Sequence, residues 1–238
     1  MALPDRLHRP RPAPRSRDAA AEAAEAAHAD PTHRLSAFAF YALTITVTCG
    51  VTVIGASGLR REPLGKQLAV ALVVGGVHAA LFVTRPSTLW LSNGFVLATS
   101  IWGAALISRT VRTAPALVAL AVAASVADMV SFSGGPTRWL LDSEGLRGGL
   151  AYLAVSLPRA EGTVAVVGIG DLLLFGSFFL ALSALDRPPR WVFAALIVAL
   201  WFALAVGLAR GGAFGIPFMA AAVLVLLRWP RHLTPPAT

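Results

Sequence analysis

Val167-Gly168-Ile169-Gly170-Asp171-Leu172-Leu173-Leu174-Phe175 places one acid after two spaced glycines inside an otherwise apolar run. A carboxylate at membrane depth costs roughly 2.5–3.5 kcal/mol on insertion scales, so Asp171 needs a physical justification. The surroundings are those of a membrane protein. Apolar residues make up 56% of the 238-residue chain, charged residues only 13%, and mean hydropathy is +0.70. A soluble domain carries about 25% charged residues, because its surface must be hydrated. The composition therefore predicts an all-α fold, a polytopic transmembrane helix bundle.

Working outward from Asp171, the run Thr163–Leu185 is the fifth of seven. The others are Leu35–Ser57, Gln67–Thr84, Thr88–Ile107, Thr113–Gly134, Trp191–Ala209 and Gly211–Leu227. Each has about the 17–25 residues needed to cross ~30 Å of hydrocarbon. Charges and prolines such as Arg60-Arg61-Glu62-Pro63 and Asp186-Arg187-Pro188-Pro189-Arg190 mark the breaks. Residues 1–34 read as a disordered tail rich in Arg, Pro and Ala, with a short helix expected near Asp18–Ala29. Residues 35–112 hold three N-terminal spans, 113–227 hold the acid-bearing region, and 228–238 form a short C-terminal tail. The one long connection, 135–162, carries Leu146, Leu150, Leu153 and Leu157 at helical spacing. That stripe predicts a short amphipathic helix in the interface.

The net charge of +8 does not imply a nucleic-acid partner. Its arginines lie in the tail and at span ends, where they anchor helices to the bilayer, and they divide almost evenly between the two faces. Charge therefore leaves the orientation open. Cys49 is the only cysteine, which excludes an intramolecular disulfide. His78 has no second ligand residue at metal spacing, so no metal site is expected, and no nucleotide fingerprint or phosphate loop calls for a cofactor. His78, Asn93, Thr44, Thr46, Thr48 and Thr52 read as helix-packing contacts.

Of the twelve acidic residues, only Asp128 and Asp171 fall inside the predicted spans. Asp128 lies six residues before the end of the fourth, and Asp171 eight residues into the fifth. Consecutive spans are antiparallel, so at about 1.5 Å per residue both acids lie roughly 9–12 Å from the same face. Two facing carboxyl groups in a low-dielectric site do not both ionise easily and tend to share a proton. Such a pair suits general acid–base hydrolysis of a peptide bond, and it equally suits relay of protons or binding of a cation. Gly168 and Gly170 leave the backbone beside Asp171 bare for a close approach by a helix or a substrate.

At these residues the sequence resembles the presenilin and signal-peptide-peptidase group of intramembrane aspartyl proteases. Gly168-Ile169-Gly170-Asp171 is similar to the group's Gly-x-Gly-Asp motif and is followed by large apolar residues. Ser125-Val126-Ala127-Asp128-Met129-Val130, then Gly135-Pro136-Thr137-Arg138, resembles its first catalytic segment. Gly215-Ile216-Pro217-Phe218-Met219 stands where the group has Pro-Ala-Leu. The resemblance covers about Thr113–Leu227 and implies a shortened relative of a nine-span fold. It implies Asp128 and Asp171 as the catalytic pair, with Ala127, Gly168, Gly170 and Pro217 against the substrate. It also implies substrates that are transmembrane or signal-peptide-like helices, and a cytosolic N-terminus. Nineteen arginines against one lysine suit a GC-rich genome, and the expected location is a bacterial or archaeal plasma membrane. Two positions depart from the group: Ala127 replaces its tyrosine, and Phe218-Met219 replaces Ala-Leu. A proline at Pro217 is expected to break the ladder of the last span near the acids. Three functions thus stand at this point: an intramembrane protease, a small proton- or cation-coupled transporter, and an inactive relative that binds membrane helices.

Overall fold

The computed structural model describes residues 31–84, 89–135, 152–159, 162–210 and 215–229. The described residues form seven helices and one β-hairpin. These are α1 (Pro31–Leu59), α2 (Leu64–Thr84), α3 (Leu89–Thr110), α4 (Ala114–Ser133), β1 (Ala154–Arg159), β2 (Gly162–Gly168), α5 (Ile169–Ala184), α6 (Pro189–Arg210) and α7 (Gly215–Arg228). By its contacts the chain divides into Met1–Ala39, of which only the start of α1 is described, and Phe40–Thr238. The expected helix at 18–29 lies outside the described residues, as does most of each predicted tail, although 31–34 already belong to α1.

Five helices, α1 to α4 and α6, are long and apolar enough to cross a membrane. Helices α5 and α7 are apolar but shorter, at 16 and 14 residues. Hydroxyl groups within α1 are satisfied locally. Thr44, Thr46, Thr48 and Thr52 donate to the carbonyls four residues back, so these side chains bond within their own helix. The C-terminal end of α1 is closed by side chains from elsewhere: Arg109 donates to Arg60 O and Glu62 O, and Gln67 to Leu59 O. Free carbonyls at a helix end need such partners where water is scarce. Helix α4 starts on Thr113, whose hydroxyl accepts the Ala116 N–H at 3.3 Å, with a proline in the first turn.

The core is built around α5. Its residues Leu174–Leu182 are buried without interruption, so it is apolar all round, as a central helix must be. It packs on α3, α6 and α7. Close crossing of α3 depends on small residues: a Cβ on Gly176 would stand 2.7 Å from Ala104 Cβ, and one on Gly103 2.6 Å from Leu173 Cδ1. Phe175 and Phe179 meet the Phe193 ring of α6 edge-on, with centroids 5.5 and 6.3 Å away. Trp90, Trp191 and Trp229 are exposed near helix ends, as an aromatic belt requires.

The structure corrects the sequence reading between 152 and 168. Leu153 and Leu157, expected on an amphipathic helix, belong to the approach to β1 and to β1 itself, while Leu146 and Leu150 lie outside the described residues. The expected fifth span is also divided, because Thr163–Gly168 is strand and the helix begins at Ile169. The physical reason is local. Pro158 withholds an N–H, and Thr163-Val164-Ala165-Val166-Val167 is rich in β-branched residues that favour a pleated strand. The hairpin is antiparallel, from Ala154 opposite Gly168 to Arg159 opposite Gly162, with an extra residue on β2 between the Val155–Val167 and Ser156–Ala165 pairs.

Candidate functional site

The Gly-x-Gly-Asp stretch is a strand-to-helix junction. Gly168 ends β2 with extended backbone (φ −71°, ψ 152°) and serves as the N-cap of α5. Asp171 is the third residue of that helix, and its carboxylate reaches back to accept the Gly168 N–H. This is the acidic half of a capping box. The positive end of the helix dipole favours a negative group at that position. The apolar run therefore tolerates Asp171 because the acid sits at a helix start, not at mid-span as its depth in the predicted span implied. A Cβ on Gly168 would stand 3.2 Å from Asp171 Oδ2, whereas one on Gly170 would meet nothing within 4 Å.

Asp128 lies near the C-terminal end of α4 and is half-buried. It accepts a hydrogen bond from the backbone N–H of Ile216, and its Oδ2 is buried without a hydrogen-bond partner. Ile216 is the second residue of α7. The residue before it, Gly215, lies directly against the Asp171 carboxylate, and a Cβ there would stand 3.1 Å from Asp171 Cγ. The first turn of α7 therefore touches both acids, and the two carboxyl groups interact electrostatically. Helix N-termini present free N–H groups, which suits them to hold anionic groups.

Beside Asp171 opens a cavity of about 300 Å³. Ala165, Val166 and Val167 of β2 form one wall, and Ile45 of α1, Leu200 to Leu208 of α6 and Gly215 of α7 complete it. Among the described residues Asp171 is the only ionisable group in the lining. In an antiparallel ladder a residue's N–H and C=O point to the same side. Gly168 and Ala165 both turn these groups away from β1, Gly168 toward Asp171. The other edge of β2 pairs with no strand among the described residues.

No protein family, curated protein or solved structure matches the chain.

The remaining expected site residues fall in different places. Ala127 is exposed on α4 and forms no part of the cavity wall. Among the described residues α7 begins at Gly215, and Pro217 is the third residue in it. There its missing N–H leaves no intrahelical bond unmade, because first-turn N–H groups have no partner. The N–H exposed beside the acids belongs to Ile216. Phe218 packs its ring on Phe202, with centroids 5.2 Å apart. Pro136, Thr137 and Arg138 lie outside the described residues, but a Cβ on Gly135 would stand 2.8 Å from Ser131 Cα, so a bare backbone fits at the end of α4. Sequence reasoning missed the cavity walls from α1 and α6. Their one signal is Ala203 and Gly207, two small residues four apart on an apolar helix.

Proposed function

We propose that this chain is an intramembrane aspartyl protease of the presenilin and signal-peptide-peptidase type, with Asp128 and Asp171 as its catalytic pair. The observation that carries this reading is the meeting of both acids on the first turn of α7, with Asp171 in the wall of an apolar cavity beside an edge of β2 that pairs with no strand among the described residues. In the reaction, the ionised acid takes a proton from water, and the resulting hydroxide attacks the peptide carbonyl. The protonated acid gives its proton to the carbonyl oxygen. Collapse of the tetrahedral intermediate then breaks the C–N bond: the second acid takes back a hydroxyl proton as the carbonyl re-forms, and the departing nitrogen takes a proton from the first acid.

The substrate is a transmembrane or signal-peptide-like helix, opened into an extended segment near the cut. A helical peptide bond is shielded by its own ladder, whereas an extended segment can pair with the edge of β2 that faces away from β1 and satisfy its backbone there. Ala165 lies about 10 Å along the strand from Gly168, so a segment paired with it reaches Asp171 within a few residues. The apolar lining suits aliphatic or aromatic side chains flanking the cut.

The test is reconstitution of the purified chain with a labelled transmembrane peptide, wild type beside Asp128→Ala and Asp171→Ala. The expected result is cleavage by wild type alone. Cleavage that survives either substitution overturns the paired-acid mechanism. Absence of cleavage together with Asp-dependent proton flux in liposomes favours a transporter.

A further inference from the structure

The hairpin beside Asp171 is held from outside by polar side chains of α2 and α3, helices that contribute nothing to the cavity wall. Asn93 on α3 binds Ser156 of β1 at two points: its Nδ2 donates to Ser156 O at 2.8 Å, and its Oδ1 accepts the Ser156 N–H at 2.8 Å. One amide side chain thus supplies both bonds that a neighbouring strand would supply to that residue. His78 on α2 is buried, with Nε2 2.5 Å from Tyr152 O and Nδ1 2.9 Å from Thr99 Oγ1 of α3. A carbonyl only accepts, so the Nε2–H of His78 donates to Tyr152 O, while Nδ1 pairs with the Thr99 hydroxyl.

The positions follow the strand period. Ser156 turns its backbone groups away from β2, toward Asn93. Residues two apart share a side, so Pro158 turns outward at a point where it has no N–H to offer. Tyr152, four residues before Ser156, gives its carbonyl to His78. Between them, Leu153 O faces the other way and accepts the Ile169 N–H at 2.8 Å, which ties this segment to the first residue of α5. An open strand edge invites pairing, and here the outer edge is occupied by one amide, one imidazole and one proline. Among the described residues the inner strand carries no such block.

We infer that Asn93 and His78 are positioning residues: by closing the outer edge of the hairpin they fix the register in which β2 meets an extended substrate. This rests on the protease reading and names how its substrate is placed in register. The two acids act on whatever bond lies between them, so register on β2 decides which bond that is.

The experiment compares wild type with Asn93→Leu, Asn93→Asp, His78→Phe and His78→Gln as full chains in lipid nanodiscs. Cut positions in a labelled transmembrane peptide are read by mass spectrometry, with kcat and KM measured separately and amide exchange followed residue by residue. Asn93→Leu is expected to spread cleavage over several neighbouring bonds and to raise KM at least threefold. It should also speed exchange at Ser156 and at Val164, whose N–H faces β1, at least tenfold, while Phe175–Leu182 change less than twofold. Asn93→Asp keeps the acceptor and loses the donor, so it should fall between. His78→Gln, which keeps a donor near the Nε2 position, should hold the wild-type pattern better than His78→Phe.

Unchanged cut positions, KM and exchange in Asn93→Leu overturn the inference. So does a rise in exchange that extends equally through α5, which marks general loss of packing. If wild type cleaves nothing, the protease reading and the register role fail together, and the exchange comparison alone decides whether Asn93 and His78 hold the hairpin.

Discussion

Gly215 lies against the carboxylate of Asp171 with no room for a methyl group between them. An added Cβ would overlap Asp171 Oδ1 and stand 3.3 Å from Leu200 Cδ2. The overlapping atom is the free end of a side chain, so the carboxylate can turn away and the backbone need not move. Gly215→Ala is therefore expected to change stability by no more than about 1 kcal/mol, since alanine also gains helix propensity. Displacing a reacting group by about 1 Å costs on the order of 100-fold in rate. Peptide cleavage should fall by about that factor while the thermal transition stays within a few degrees. Near-wild-type cleavage would mean that Asp171 does not act from this position.

The glycines along α5 serve different ends, and substitution should separate them. A Cβ on Gly170 meets open space, so Gly170→Ala is expected to be neutral or to stabilise the helix by up to about 1 kcal/mol. Any loss of cleavage in that variant then reports on what approaches Asp171 from the open side. A Cβ on Gly176 would stand 2.7 Å from Ala104 Cβ and 3.2 Å from Thr52 Cγ2, so Gly176→Val overpacks the crossing of α5 with α3. Its expected cost is about 1–3 kcal/mol, read as a lowered melting temperature in detergent.

Much of this arrangement was legible in the sequence. Hydropathy located the seven helices of the described residues, and charge and proline punctuation placed most of their ends. The two acids stood out because nothing else of their kind lay in an apolar run. The hairpin was not legible for a physical reason: Thr163-Val164-Ala165-Val166-Val167 is apolar throughout, and apolarity alone does not separate a buried strand from the start of a span. Misplacing that boundary moved Asp171 from a helix N-terminus to mid-span, which hid the simplest account of its tolerance. The roles of His78 and Asn93 depend on β1, which lies far along the chain. A polar residue on a membrane helix announces that it has a partner, not which backbone it holds.

Pro217 offers a test of where its helix begins. In the interior of a membrane helix, a proline removes a ladder bond and leaves a carbonyl unpaired. As the third residue of α7 it removes nothing that the helix uses. Pro217→Ala is therefore expected to shift stability by less than about 1 kcal/mol and to leave the hydrogen bond from Ile216 to Asp128 in place. Helical content by circular dichroism should stay the same within error. A rise equivalent to a full turn would place the helix start earlier and make the proline a true interruption.

Arg187 secures the far end of the helix that touches both acids. It is buried in the turn between α5 and α6, next to Asp186, whose backbone takes the left-handed conformation at φ 60°. Its guanidinium donates to Leu227 O and Trp229 O, each at 2.7 Å, closing the last carbonyls of α7. Hydrogen bonds from a charged donor are worth about 1.5–3 kcal/mol each, and water at the membrane edge recovers part of that when the donor is lost. Arg187→Met keeps the apolar stem and removes both bonds, so its expected cost is about 2–3 kcal/mol. Arg187→Lys, with a single ammonium in place of the fork, should recover about half of that loss. Because α7 carries Gly215 and Ile216 at its other end, a loosened helix should also reduce cleavage, measured well below the melting temperature of each variant. If Arg187→Met melts like wild type, the far end of α7 is held by its packing and not by this side chain.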